Sequence, residues 1–333
     1  MKNIILSIII PAYNSENSIQ KCLKSIIPQL NKECELIVIN DGSDDETENK
    51  VKEIFHQYKS LTNLIYIYQK NSGVSKTRNK GINISRGKYL WFIDSDDFIE
   101  SAYVSEVYKY LNEQFDIILF DYDVVGSEKK INEPRLEDKK TNRKEFLKFV
   151  SSNFFTTFIS VPWNKIYLRS IIIENKIYFN CDLFSNEDYL FNLHYYNYVN
   201  SAVINSRKLY NYVVDQNESL SKRQRTLKYS WNVTKKLYLS LIKLYGENNS
   251  LVYDFFMERI YNDLCISRYS FSGLYNIYND DIFKNIDNFY LSNGASKKAK
   301  FIYKNLKFRN VLIVYIYFFA KREWRKLYDK NKS

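Results

Sequence analysis

The chain has 333 residues, 45% of them hydrophobic and 17% aromatic, enough apolar material for one large core or two smaller ones and too much for a disordered chain. Its net charge of +11 comes from 49 Lys+Arg against 38 Asp+Glu, and Lys297 to Ser333 alone holds 12 basic and two acidic residues, about +10 of that excess. The nearly neutral body that remains argues against a nucleic-acid binder, whose main domain would carry a basic face.

Met1 to Asn14, MKNIILSIIIPAYN, superficially resembles a secretory leader. Its apolar run is short, Pro-Ala-Tyr-Asn interrupts it and no small-residue cleavage site follows, so it reads as a cytoplasmic first strand. Ile4 to Ile10 is continuous, apolar and β-branched, bounded by Pro11, as expected of a strand buried on both faces of a parallel sheet. A helix follows with Ile19, Cys22, Leu23, Ile26, Ile27 and Leu30 on one face, capped by Ser15 or Asn17. Glu35 to Asn40 is a second buried strand. An amphipathic segment with Val51, Ile54, Phe55 and Tyr58 leads to a third, Leu64 to Tyr68. A short helix, about Val74 to Ser85, returns the chain to YLWFI. Strands alternating with helices predict a parallel, three-layer α/β sheet.

After Ser101 the pattern predicts a helix and a strand from Asp116 to Asp123. A polar loop from Gly126 to Lys144 follows, then Val161 to Ile173, then a helix with Glu187 and Asp188 in its first turn. From about Gln224 the chain reads as helical and aromatic-rich. The four cysteines, Cys22, Cys34, Cys181 and Cys265, lack paired spacing, and with two histidines they form no zinc motif; they read as reduced core thiols.

Ligands of such sheets bind beyond the carboxyl ends of the strands. The loops there are PAYN, DGSDD, NSGVSKTRN and DSDD, so polar groups converge on one edge. Among eight glycines there is no Walker loop and no G-x-G-x-x-G, which removes the commonest phosphate-loop and dinucleotide readings. DSDD places Asp94, Asp96 and Asp97 directly after a buried strand. Two ionised carboxylates a few ångströms apart repel by roughly 3 kcal/mol at an effective dielectric near 20, a cost that a divalent cation offsets. Mg²⁺ or Mn²⁺ held by one or two carboxylates completes its shell with substrate phosphate. Asp97 reads instead as the cap of a following helix.

SIIIPAYN, VINDGSDDET, NSGVSKTRNKGI, SRGKYLWFIDSDD and NEDYLF stand in the order seen in family 2 glycosyltransferases, and over about residues 3 to 215 the chain resembles that family. The resemblance implies an inverting enzyme of the GT-A fold, with residues 1–220 as the transferase domain (1–100 the nucleotide-binding half, 101–220 the acceptor half); no signature covers residues 221–333, whose own pattern predicts a helical extension. It implies a UDP-sugar donor, with Tyr13 stacking on the base, Asp41 accepting a bond from the uracil, Asn71 and Arg78 bordering the nucleotide, and Asp94 facing ribose and metal. Asp96 would be the direct metal ligand. Asp188 would be the catalytic base that takes the acceptor's proton. Trp163, Asn164 and Lys165 match a segment near the donor diphosphate and acceptor, although Trp163 also suits the core.

Val311 to Ala320 is apolar, with Lys and Arg flanks and Trp324. About ten residues are too few to span a bilayer, and the pattern suits a helix in the interface of an anionic surface. This predicts a cytoplasmic enzyme peripheral on the inner face of the cell membrane, extending a glycan or a lipid-linked oligosaccharide, the latter step by analogy. Two other readings compete. A sugar-1-phosphate nucleotidyltransferase needs a glycine-rich basic loop after the first strand, which PAYNSENS is not. A non-catalytic membrane-peripheral binder of glycan or partner is disfavoured by carboxylates at both the metal and the base positions.

Overall fold

Seven consecutive buried residues, LSIIIPA, form β1 (Leu6–Ala12), an interior strand of a sheet flanked by a strand on each side. The computed structural model describes residues 4–60, 63–126, 135–214, 225–267 and 270–330, without the side chains of 284–285 and 322–330. These fall into two compact units on either side of segment 215–224. The boundary expected at residue 220 lies outside the described residues.

In the first unit, α1 (Ile19–Ile26) buries Ile19, Cys22, Leu23 and Ile26. Its opening N–H groups are met by the Ser15 carbonyl, at 3.1 Å from Ser18 N and 2.9 Å from Ile19 N, and not by a Ser15 or Asn17 side chain. β2 (Cys34–Asn40), α2 (Thr47–Gln57), β3 (Leu64–Tyr68), α3 (Val74–Ile84) and β4 (Tyr89–Phe92) follow as the apolar pattern requires. Next come β5 (Phe98–Ile99), α4 (Tyr103–Leu111) and β6 (Ile117–Val125). The expected loop at 126–144 ends in β7 (Lys139–Asn142) and the start of α5 (Arg143–Ser152), whose capping box uses Asn142 and Glu145; residues 127–134 lie outside the described set. α6 (Thr157–Ser160), β8 (Lys165–Leu168), α7 (Arg169–Glu174), α8 (Glu187–Tyr196) and β9 (Ser201–Val213) complete the unit.

Strand order is β3-β2-β1-β4-β8-β6-β9-β5, with β7 against β9. The wholly parallel sheet expected from the sequence is corrected here to a mixed one. β3, β2, β1 and β4 run parallel, but β8 pairs antiparallel with both β4 and β6, and β6 with β9 is parallel again. A strand as short as β8, four residues, carries no directional signal in its own pattern.

Pro11 sits inside β1, not beyond it. The β1–β2 ladder runs to Ala12↔Asn40, whereas β1–β4 stops at Ile9↔Phe92. Past Ile9 the strand is therefore an edge on one side, where a residue without N–H is tolerated. Where β1 and β4 part, their carboxyl ends leave the crevice that such sheets use for ligands.

The second unit is helical: α9 (Leu227–Tyr245), α10 (Ser250–Ile266), α11 (Phe271–Tyr278), a 3-10 turn (Asp281–Asn288), α12 (Lys297–Lys307) and α13 (Val311–Lys330). Its interior is aromatic, with Phe256 stacked on Tyr238 at 4.1 Å and Phe289 on Tyr253 at 4.3 Å. Among the described residues no helix is long and apolar enough to cross a membrane. All four cysteines are free. Cys22 and Cys34 are buried as expected, but Cys181 is exposed and Cys265 only partly covered.

Candidate active site

Four loops leave the carboxyl ends of β1 to β4, and their polar residues wire them to one another. Asn14 N–H donates to Ser43 Oγ at 3.0 Å and Ser15 N–H to Thr47 Oγ1 at 2.7 Å, joining the first loop to the second. The Ser15 and Ser95 hydroxyls meet at 2.8 Å and join the first to the fourth. Asp41 joins the second to the third: Oδ1 accepts from Gln69 Nε2 (2.7 Å), Ser72 N–H (2.9 Å) and Ser72 Oγ (3.1 Å), and Oδ2 from Gly73 N–H (2.8 Å). Gly42 makes this possible, because its φ is +74° and a Cβ there would stand 2.6 Å from Asn71 N.

Among the residues singled out from the sequence, Tyr13 is about half exposed beside the crevice (49%) and Asn71 is exposed. Asp41 is buried, its carboxylate occupied in holding the third loop. Asp94, Asp96 and Asp97 bring carboxylate oxygens within 4.8 Å of one another. They differ in exposure: Asp94 is partly buried, Asp96 exposed and Asp97 buried. Asp97 caps no helix, since β5 follows it. Its Oδ2 accepts from Tyr210 Oη at 2.6 Å and its Oδ1 from Val213 N–H at 2.7 Å, so it anchors the fourth loop to β9. Burial, followed by the charges of Asp94 and Asp96, pushes its carboxyl well above the usual range.

Arg78 is the centre of the arrangement. Its guanidinium is 4% exposed, with Nη2 2.7 Å from Asp94 Oδ1 and Nη1 2.7 Å from Asp188 Oδ1. The Phe179 ring lies 5.3 Å away, itself stacked on Phe191 at 4.0 Å. Asn79 holds the backbone of Phe179 from both sides, donating to its carbonyl (2.9 Å) and accepting from its N–H (2.8 Å). Burial works against the guanidinium charge, but Asp188, Asp94 and Glu187 hold it charged. Arg78 Nε is buried without a hydrogen-bond partner.

Asp188 stands in the first turn of α8, behind Asn186 in the left-handed region at φ 60°. It is the member of the Glu187–Asp188 pair that reaches Arg78, as adjacent helical residues about 100° apart require of one of them. Desolvation pushes its carboxyl up to about 7; Arg78 opposes that rise, Glu187 and Asp94 add to it, and Lys165 opposes it again. A carboxylate poised there is suited to take a proton near neutral pH.

Trp163 belongs to the core, stacked on Tyr210 at 4.5 Å and on Tyr212 at 5.3 Å. Asn164 and Lys165 are fully buried. Lys165 Nζ donates to the Phe158 carbonyl (2.6 Å), the Val161 carbonyl (2.5 Å) and Asn164 Oδ1 (2.7 Å). Tyr210 was missed by sequence reasoning, as were Gln69, Asn79 and Phe179. Tyr210 is one of 30 tyrosines and lies 113 residues from the aspartate it holds, so no local signal marks it.

Residues 7–175 match the model described as "Glycosyl transferase family 2". Glycosyltransferase GlyA of Streptococcus pneumoniae is 43% identical over 118 residues, 35% of this chain and 16% of that protein. The poly(ribitol-phosphate) beta-N-acetylglucosaminyltransferase TarP of Staphylococcus aureus is 28% identical over 64% of this chain and 63% of its own. The chain thus spans less than two thirds of either relative. The crystal structure of S. aureus TarS 1-349 in complex with UDP-GlcNAc superposes with a TM-score of 0.68 at 20% identity, covering 97% of this chain and 92% of that one. That likeness is one of fold, a mixed α/β GT-A sheet followed by helices.

Proposed function

The chain belongs to glycosyl transferase family 2 and is a glycosyltransferase, and we propose that it moves a sugar, with inversion, from a UDP-sugar to a hydroxyl of a cell-surface glycan or lipid-linked oligosaccharide. The UDP-GlcNAc complex of TarS and the activity in TarP's name support UDP-GlcNAc as the first donor to test and a β-linked product. What carries the reading is the Arg78 bridge, which sets Asp188 and Asp94 on either side of one guanidinium at 2.7 Å each. On this reading one buried side chain joins the base to the carboxylate group that meets the donor diphosphate.

In the reaction, Asp188 takes the proton of the acceptor hydroxyl as its oxygen bonds to the anomeric carbon, and the bond from that carbon to the diphosphate breaks, the electron pair leaving with UDP. Tyr13, half exposed, offers a face for the base. Asn71 borders the nucleotide, and Asp41 keeps the third loop in place beneath it. Three carboxylates with oxygens within 4.8 Å of one another fit a hard divalent cation, Mg²⁺ or Mn²⁺, with Asp96 and Asp94 as holders, since both oxygens of Asp97 are committed to β9. When bound, the cation supplies charge neutralisation on the leaving diphosphate.

Calorimetric titration of UDP with and without Mn²⁺, on the wild type and on Asp96→Asn, tests the donor site. Binding that requires both the cation and Asp96 is expected. Equal binding by Asp96→Asn overturns the metal assignment, and no binding of UDP by the wild type in any condition overturns the donor.

A further inference from the structure

α13 is apolar on the side it exposes as well as on the side it buries. Val311, Val314 and Phe318 are buried at i, i+3 and i+7, the ordinary stripe of a surface helix. The positions between them should then be polar. Instead Leu312, Ile313, Ile316, Tyr317 and Phe319 are between 41% and 58% exposed. The apolar surface continues onto α11, because Phe271 meets Tyr315 at 5.4 Å and Tyr315 stacks toward Phe319 at 6.1 Å, while Phe271 and Tyr275 are themselves exposed. A contiguous exposed patch of this kind marks an interaction surface.

The neighbouring helix names the occupant. Every exposed position of α12 is a lysine: Lys297, Lys298, Lys300, Lys304 and Lys307. α12 is joined to α13 through Phe308 to Asn310 and touches it through Phe301, whose ring lies 4.7 Å from Tyr317. A second copy of the chain docked here would bring together two tails of about +10 each, which like-charge repulsion opposes. An anionic surface with an apolar interior complements both features at once. The ten residues from Val311 to Ala320 extend only about 15 Å as a helix, half of what a bilayer core requires, and no described helix is long and apolar enough to cross one.

We propose that the exposed face of α13, with Phe271 and Tyr275 of α11, lies in the headgroup region of an anionic bilayer, held there by apolar insertion and by the lysines of α12. This placement does not depend on which sugar is transferred. The Trp324 expected to contribute lies outside the described side chains.

Co-sedimentation of the full chain with phosphatidylglycerol–phosphatidylcholine vesicles at low salt tests it, against vesicles of phosphatidylcholine alone. The wild type partitions to the anionic vesicles, added salt weakens it, and Ile316→Asp/Phe319→Asp lowers the partition coefficient by roughly tenfold or more. Lys297→Glu/Lys304→Glu alters only exposed side chains and lowers it by a similar factor, so the test survives if the first variant fails to fold. UDP titration of each variant reports the donor site separately. No sedimentation of the wild type with anionic vesicles overturns the proposal. So does equal binding to neutral vesicles, or a wild-type dimer that Ile316→Asp/Phe319→Asp dissociates without any vesicle binding.

Discussion

Arg78→Gln separates two roles for the buried arginine, one toward the donor and one toward the base. The Arg78 Nη1 to Asp188 Oδ1 distance of 2.7 Å places the charge centres about 4 Å apart, an attraction of about 4 kcal/mol at an effective dielectric of 20. A quarter of the Asp188 side chain faces solvent, and screening there reduces the figure to roughly 1.5–3 kcal/mol, or about 1–2 pKa units. Asp188 stands at about 7 with Arg78 in place. As a base it works deprotonated, so kcat/KM rises as pH increases through that value and falls below it. Removing the arginine raises the carboxyl further, and the acidic limb moves to roughly 8–9. At neutral pH the rate falls roughly 5–50-fold and is regained at high pH, whereas Arg78→Lys, which keeps the charge, holds the limb near its original position. The assay is UDP release from a UDP-sugar, with kcat/KM followed across pH, because that ratio reports the free enzyme. A limb that stays near 7 in Arg78→Gln while the donor KM rises would refute the positioning role and leave Arg78 as a donor contact only.

Three further outcomes follow from the same geometry. Asp188→Asn keeps the shape of the carboxylate and lowers turnover by roughly 10²-fold or more with UDP binding intact; near-normal turnover sinks its assignment as base. Gly42→Ala places a Cβ 2.6 Å from Asn71 N at a φ of +74°, costing about 1–3 kcal/mol and so several degrees of thermal midpoint, read by calorimetry together with weaker UDP binding; an unchanged midpoint contradicts it. Tyr210→Phe removes the 2.6 Å bond to buried Asp97, costs about 1–3 kcal/mol and weakens metal-dependent UDP binding by loosening the loop that carries Asp94 and Asp96; binding and midpoint both at wild-type values would show that Val213 N–H alone suffices.

Much of the site was legible because its residues sit where continuous apolar runs end. LSIIIPA, CELIVIN and YLWF are buried throughout, and local composition alone announces such strands and the polar loops that follow them. The family resemblance assigns Asp94, Asp96 and Asp188 to one site without any knowledge of their distances, and the structure joins Asp94 to Asp188 through Arg78. Misjudged elements were those whose state is set elsewhere in the chain. Asp97 read as a helix cap because acids usually precede helices, yet its partners are on β9. The segment up to Lys144 read as a loop because β7, with the sequence KKTN, owes its strand state to pairing with β9 and not to any apolar pattern. Cys181 read as a core thiol because free cysteines usually are, but it lies on the exposed segment that Asn79 holds.

By itself, then, the sequence determined the alternation of buried strands and amphipathic helices, the edge at which four polar loops gather, the residue types available there and the basic apolar tail, because each depends on neighbours within a few positions. Only the tertiary structure decided that β8 enters the sheet antiparallel, that Tyr210 secures the acidic loop, and that Arg78 spans 16 residues to Asp94 and 110 to Asp188. Those are contacts between segments brought together by burying a shared core, and side-chain periodicity along the chain carries no record of which distant segment a residue will face.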